Sequence, residues 1–135
     1  MNDLYADCAL FRDMIARSDR SRLMVSFQHF PRGACDDASL LLARFLRERD
    51  HGTFQRMSGK RGDDTHVWLE QGDWVSDITG DQFGDFPYGH AHVGKDRSWH
   101  QPFSGEDTGP ADYRHLDGPI VVDLNKTYSC LSDGH

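Results

Sequence analysis

The chain has 135 residues, 37% hydrophobic, 27% charged and 11% aromatic, which suits one domain with a modest core and a well-solvated surface. Its formal net charge of −7 argues against a general binder of nucleic acid or of an anionic membrane surface, since both need an excess of Lys and Arg. Cys8, Cys35 and Cys130 are widely spaced and odd in number, which argues against a disulfide framework.

From Leu4 to about Arg17, Leu4, Cys8, Phe11 and Ile15 recur at helical spacing, with Asn2 or Asp3 available as a cap, so an amphipathic helix is predicted with Cys8 as a small buried hydrophobe. Leu23, Val25 and Phe27 alternate with polar or flexible neighbours and predict a short extended stretch leading to Pro31. After the Arg32-Gly33 turn a second helix is predicted from Cys35 to about Arg49, with Asp36 and Asp37 in its first turn and Ala38, Leu42, Phe45 and Leu46 on its buried stripe. His51-Gly52 ends it.

Thr53–Ser58 reads as a strand, followed by a charged turn over Gly59–Asp64. Thr65–Glu70 and Asp73–Thr79 read as two strands of a tight hairpin through Gln71-Gly72. If Glu70 pairs with Asp73, His66 falls directly opposite Asp77, with Cβ atoms roughly 4.5–5.5 Å apart, within reach of an imidazole–carboxylate bond. A one-residue slip would put them on opposite faces. Beyond Thr79 the chain is rich in Gly, Asp, aromatics and His. His90–Val93 is a candidate strand, Gly94–Tyr113 is expected to be mostly irregular, and Ile120–Leu124 reads as a final strand.

The chemistry-bearing set is Cys35, His66 and Asp77. A helix N-terminus favours thiolate over thiol, so Cys35 is the candidate nucleophile. His66 would take the thiol proton and later protonate a leaving group, and Asp77 would orient the ring and stabilise imidazolium. Asp36, next to the cysteine, opposes a thiolate. The Cys35 N–H would supply one oxyanion donor. Gln28 is a candidate for the second, with a surface glutamine as its plainer reading. Ser39, one turn after Cys35, either lines the site or fills the helix face, and Trp68, on the face of His66, either shields the ion pair or packs the core.

A zinc site drawn from His90, His92, His100, His115 and Cys8 or Cys130 matches no recognised spacing, and these histidines lie among polar residues where solvated His is ordinary. No metal or cofactor is expected, and no phosphate-binding glycine loop is present. The first residues have no basic n-region or apolar h-region, and no apolar run is long enough to span a membrane, so a soluble cytoplasmic protein is expected.

Gly33-Ala34-Cys35 opening a helix, Thr65-His66-Val67-Trp68-Leu69-Glu70 and Trp74-Val75-Ser76-Asp77-Ile78-Thr79 together resemble the transglutaminase-like superfamily of papain-like cysteine enzymes. Its signature is a helix-initial Cys, a His-Ala-Trp-x-Glu strand and an Asp-x-Thr strand. The resemblance covers roughly Phe30 to Phe83, with Val67 standing where the family usually has Ala. It implies Cys35 as nucleophile, His66 as base and Asp77 as orienter in a single α+β domain over residues 1–135, the catalytic helix packed on an antiparallel sheet. Among its members the chain is most similar to cysteine peptidases that mature ribosomal peptides, such as the lasso-peptide B2-type enzymes.

The expected function is therefore hydrolysis or acyl transfer at a peptide or amide bond through an acyl-thioester, with a peptide or protein substrate. The alternative is a catalytically silent domain of the same fold that binds a peptide or protein partner. Oligomeric state is not legible in the sequence.

Overall fold

The computed structural model describes residues 3–133 and is an α+β structure of three helices and a five-stranded antiparallel sheet. Helix α1 spans Leu4–Arg17, capped by Asp3, whose carboxylate accepts the Ala6 N–H at 3.1 Å. Asn2, the other expected cap, lies outside the described residues. Cys8, Phe11, Met14 and Ile15 are buried along one stripe.

The extended stretch expected at Leu23–Phe27 is instead folded into two 3₁₀ turns, Arg20–Arg22 and Val25–Phe27. Leu23 and Phe27 are buried, but Val25 between them is 85% exposed, so the apolar residues do not share a strand face. The Gln28 amide donates to the carbonyls of Arg20 at 2.7 Å and Leu23 at 3.1 Å, and the Met24 N–H goes to Thr127 Oγ1 at 3.0 Å. These bonds satisfy backbone groups that a sheet would otherwise have to pair.

Helix α2 spans Cys35–Glu48 and buries Ala38, Leu41, Leu42 and Leu46. The chain leaves it through Asp50 and Gly52, both at positive φ. Strands β1 (Gln55–Arg61), β2 (Asp64–Gln71), β3 (Trp74–Asp77), β4 (His92–Gly94) and β5 (Ser104–Pro110) follow, in the sheet order β4-β3-β2-β1-β5. The charged turn expected from Gly59 shrinks to Gly62-Asp63, because β1 continues to Arg61, which pairs with Asp64. Gly59 belongs inside that strand because a Cβ there would lie 2.9 Å from the Gly105 Cα and 3.0 Å from the Phe103 carbonyl oxygen.

β5 occupies a stretch expected to be irregular. All of its residues but Gly109 are exposed and none is apolar except Pro110, so no hydrophobic pattern announces it. Backbone pairing with β1 supplies the strand, and the Thr108 hydroxyl adds a 2.8 Å bond to the Arg56 carbonyl.

The strand expected at Ile120–Leu124 is the start of helix α3, Pro119–Asp133. Its buried residues, Leu124, Thr127, Tyr128 and Leu131, recur at helical spacing. Of the β-branched run before them, Ile120 and Val121 pack against the core only from partly buried positions and Val122 is exposed, and Pro119 suits a first helical position.

Alternation along β2 divides the interior. Leu69 joins the main core with Phe11, Phe27, Leu41, Leu42, Leu46, Leu124 and Leu131. Trp68 points the other way into a second cluster with Val75, Trp99 and Phe103, packed by Met57, Phe83, Phe86 and Tyr88. Among the described residues no helix is long and apolar enough to cross a membrane.

Candidate active site

Cys35 is the first residue of α2 and is half-buried. The preceding Ala34 makes no side-chain cap bond, which leaves the first-turn N–H groups unclaimed by a cap. Ser39 is buried, and its hydroxyl donates to the Val67 carbonyl at 3.3 Å, fastening α2 to β2 beside His66. It therefore serves the helix face. Asp36 turns its carboxylate to Arg56 in a two-point ion pair, Nε–Oδ1 2.8 Å and Nη2–Oδ2 2.9 Å. The guanidinium is held above its ordinary value by those hydrogen bonds against the cost of burial, with further support from the charges of Asp36 and Cys35. Asp37 accepts from the Ser26 hydroxyl at 2.6 Å, and burial holds its carboxyl above its usual value.

The hairpin joining β2 and β3 turns at Gly72-Asp73, and Glu70 opposes Val75 rather than the expected Asp73. This two-residue displacement preserves the alternation. Continued along the strands, it sets Asp77 across from Trp68, so His66 and Asp77 share a face and meet diagonally. His66 Nε2 lies 2.7 Å from Asp77 Oδ2.

A carboxylate only accepts, so the hydrogen-bond network assigns the ring proton to Nε2 and leaves Nδ1 as the basic nitrogen. The Gln82 amide nitrogen lies 3.5 Å from Nδ1. Burial would lower the His66 pKa. The charge and hydrogen bond of Asp77 outweigh it, followed by the hydrogen bond and charge of Cys35, and together they push it up to about 9. Cys35 thus lies within electrostatic reach of the imidazole.

His66 itself is 0% exposed. Trp68 stacks on its ring at a centroid distance of 5.6 Å, Phe83 meets it edge-on at 5.2 Å, and Phe103 and Trp99 close in at 5.5 and 5.9 Å. The Trp68 indole N–H is satisfied by Glu70 at 2.8 Å. Trp68 therefore both packs the second cluster and shields the ion pair, and the low polarity it maintains strengthens the electrostatics inside.

Asp77 is equally buried. Its Oδ1 accepts the Thr79 N–H at 2.9 Å, and its Oδ2 accepts from His66 and also from His100, each at 2.7 Å. Burial alone would raise its pKa, but the charge of His66 and the hydrogen bonds of His100 and His66 hold the carboxyl well below the usual carboxylate range.

The structure thus brings Cys35, His66, Asp77 and Trp68 together, while Gln28 is spent on local carbonyls and contributes no oxyanion donor. Gln82, Phe83, Trp99, His100 and Phe103 join the site without having been singled out as its members. The region after Tyr88 is not simply solvated: His92 and His100 are buried, and only its high density of His and aromatics signalled them.

His66, Asp77 and His100 are the one cluster of metal-type donors among the described residues, with ligand atoms within 4.8 Å of one another. Their 2.7 Å contacts are hydrogen bonds as they stand. A zinc-class ion, about 2.0–2.2 Å from each donor, would need both pairs to spread apart. Cys8 is fully buried, and desolvation pushes its thiol up to about 12, so it has no nucleophilic character at neutral pH. No family model, curated protein or solved structure matches the chain.

Proposed function

We propose that this protein is a papain-like, transglutaminase-like cysteine hydrolase or acyl transferase acting on a peptide or amide bond, with Cys35 as nucleophile, His66 as base and Asp77 as orienter. The observation that carries this reading is the buried 2.7 Å His66–Asp77 pair, with the helix-initial Cys35 as a further electrostatic neighbour of the ring.

His66 Nδ1 holds the proton drawn from the Cys35 thiol, and the thiolate of this thiolate–imidazolium pair attacks the acyl carbon. The resulting oxyanion is met by the Cys35 N–H at the start of α2. Collapse of this intermediate expels the amine, which takes the proton from His66, and leaves an acyl-thioester on Cys35. Water completes hydrolysis, and an amine completes acyl transfer. No step needs a metal or a cofactor.

The complete burial of the His66 ring favours a second reading, a silent domain of the same fold that binds a peptide or protein partner. Reaction with p-nitrophenyl acetate separates the two. The enzyme reading predicts a burst of about one equivalent and an acetyl adduct on Cys35, lost in Cys35→Ala and strongly reduced in His66→Gln. Acetylation of Cys35 and Cys130 at the same slow rate would favour the binding domain.

A further inference from the structure

The Asp77 carboxylate holds two imidazoles where the proposed triad needs one. We propose that His100 is a positioning residue for His66: by donating its Nε2–H to the Asp77 oxygen that His66 also uses, it fixes that carboxylate and limits its hold on the His66 proton. The role assigned to His66 rests on the hydrolase reading above. The link through Asp77 rests on geometry alone.

Asp77 Oδ2 has two acceptor sites, and both are filled at 2.7 Å, by His66 Nε2 and His100 Nε2. Oδ1 is held by the Thr79 N–H at 2.9 Å. Every donor takes a share of the carboxylate's charge, so a second imidazole on the same oxygen weakens the pull on the first.

The tautomer of His100 follows from its other nitrogen. Its Nδ1 is buried with no hydrogen-bond partner among the described residues. A proton there would be an unsatisfied buried donor, so the proton belongs on Nε2, facing Asp77. The ring cannot turn away. It meets Trp99 edge-on at 4.8 Å, packs against Trp68 at 5.0 Å and stacks with His92 at 5.8 Å, and His92 is in turn stacked on Tyr88 at 3.8 Å.

Titratable and charged groups surround this layer on every side. Cys35 faces His66, Cys8 feels the charge of Asp77 from α1, and His92 packs on His100 from β4. Glu70 and Arg97, paired at 2.9 Å, line with His100 a cavity of about 350 Å³. None of these other groups hydrogen-bonds Asp77 Oδ2, so the competition for that oxygen lies between two imidazoles. A general base works best with a pKa near ambient pH. Burial and Asp77 act on His66 in opposite directions, and an unshared carboxylate would carry its pKa still higher.

The test is a ring titration of His66 by NMR in the full chain, in wild type, His100→Phe and His100→Gln. Phenylalanine keeps the aromatic packing without the donor, and glutamine restores an Nε2–H. The His66 midpoint is expected to rise by about half a pH unit or more in His100→Phe and to return most of the way in His100→Gln. A folded His100→Phe whose midpoint stays within about 0.2 of wild type would overturn the proposal.

If His100→Phe fails to fold, the wild-type His100 ring decides. Its ¹⁵N spectrum should show the proton on Nε2, and a proton on Nδ1 would overturn the proposal. Acetylation of wild-type Cys35 is scored separately. Its absence would refute the hydrolase reading with the midpoint shift intact, whereas normal acetylation with an unmoved midpoint would refute the role of His100 alone.

Discussion

Asp36 stands one residue after Cys35, where its charge opposes a thiolate, and Arg56 answers it with two hydrogen bonds under 3 Å. Arg56→Met leaves that carboxylate unpaired beside the sulfur, so alkylation of Cys35 by iodoacetamide at pH 7 should slow by about three- to tenfold while Cys130 reacts unchanged. Asp77→Asn removes the charge that sustains His66. It should cost on the order of 3–5 kcal/mol in urea unfolding, because a buried pair loses its anion. Part of this residue-level picture was legible in the sequence. Residue type and order fixed attention on Cys35, His66 and Asp77, because a helix start and a hairpin are local patterns. His100 was not, because its partner lies 23 positions away across a loop with no periodicity.

At the scale of elements, the hairpin register explains why an imprecise expectation still joined the right pair. The turn formed one residue further along than expected, which moves each cross-strand partner by two, and a strand's side-chain period of two kept His66 and Asp77 on one face. The opposite failure occurred at α3 and β5. Ile120-Val121-Val122 has strand propensity, but the core contacts that select helix come from Leu124, Thr127, Tyr128 and Leu131. β5 offers no buried side chain to read and exists through its pairing with β1. That pairing requires Gly59, whose absent Cβ admits the Gly105 backbone, so Gly59→Ala should destabilise the protein by about 1–3 kcal/mol in urea unfolding. Ser39→Ala removes a long 3.3 Å bond and should cost about 1 kcal/mol or less.

At the scale of the whole molecule, the sheet separates a helical core from an aromatic cluster that encloses the His66–Asp77 pair, and this enclosure couples protonation to folding. The His66 pKa is raised from 6.5 to about 9, so its contribution is complete below about pH 6.5 and is lost as pH climbs through 9. Asp77 is lowered, so its contribution is present above about pH 3.8 and is lost as pH falls through the folded value. Stability measured by urea unfolding should therefore decline by about 3 kcal/mol between pH 6.5 and 9, a slope that His66→Gln abolishes. The central claim, that Cys35 is a nucleophile served by His66, is tested most directly by iodoacetamide labelling of the folded chain at pH 7, with each cysteine followed by mass spectrometry. The account predicts that Cys35 reacts about tenfold or more faster than Cys130, that Cys8 stays unlabelled, and that His66→Gln removes the advantage of Cys35. Equal rates for Cys35 and Cys130, unchanged by His66→Gln, would contradict it.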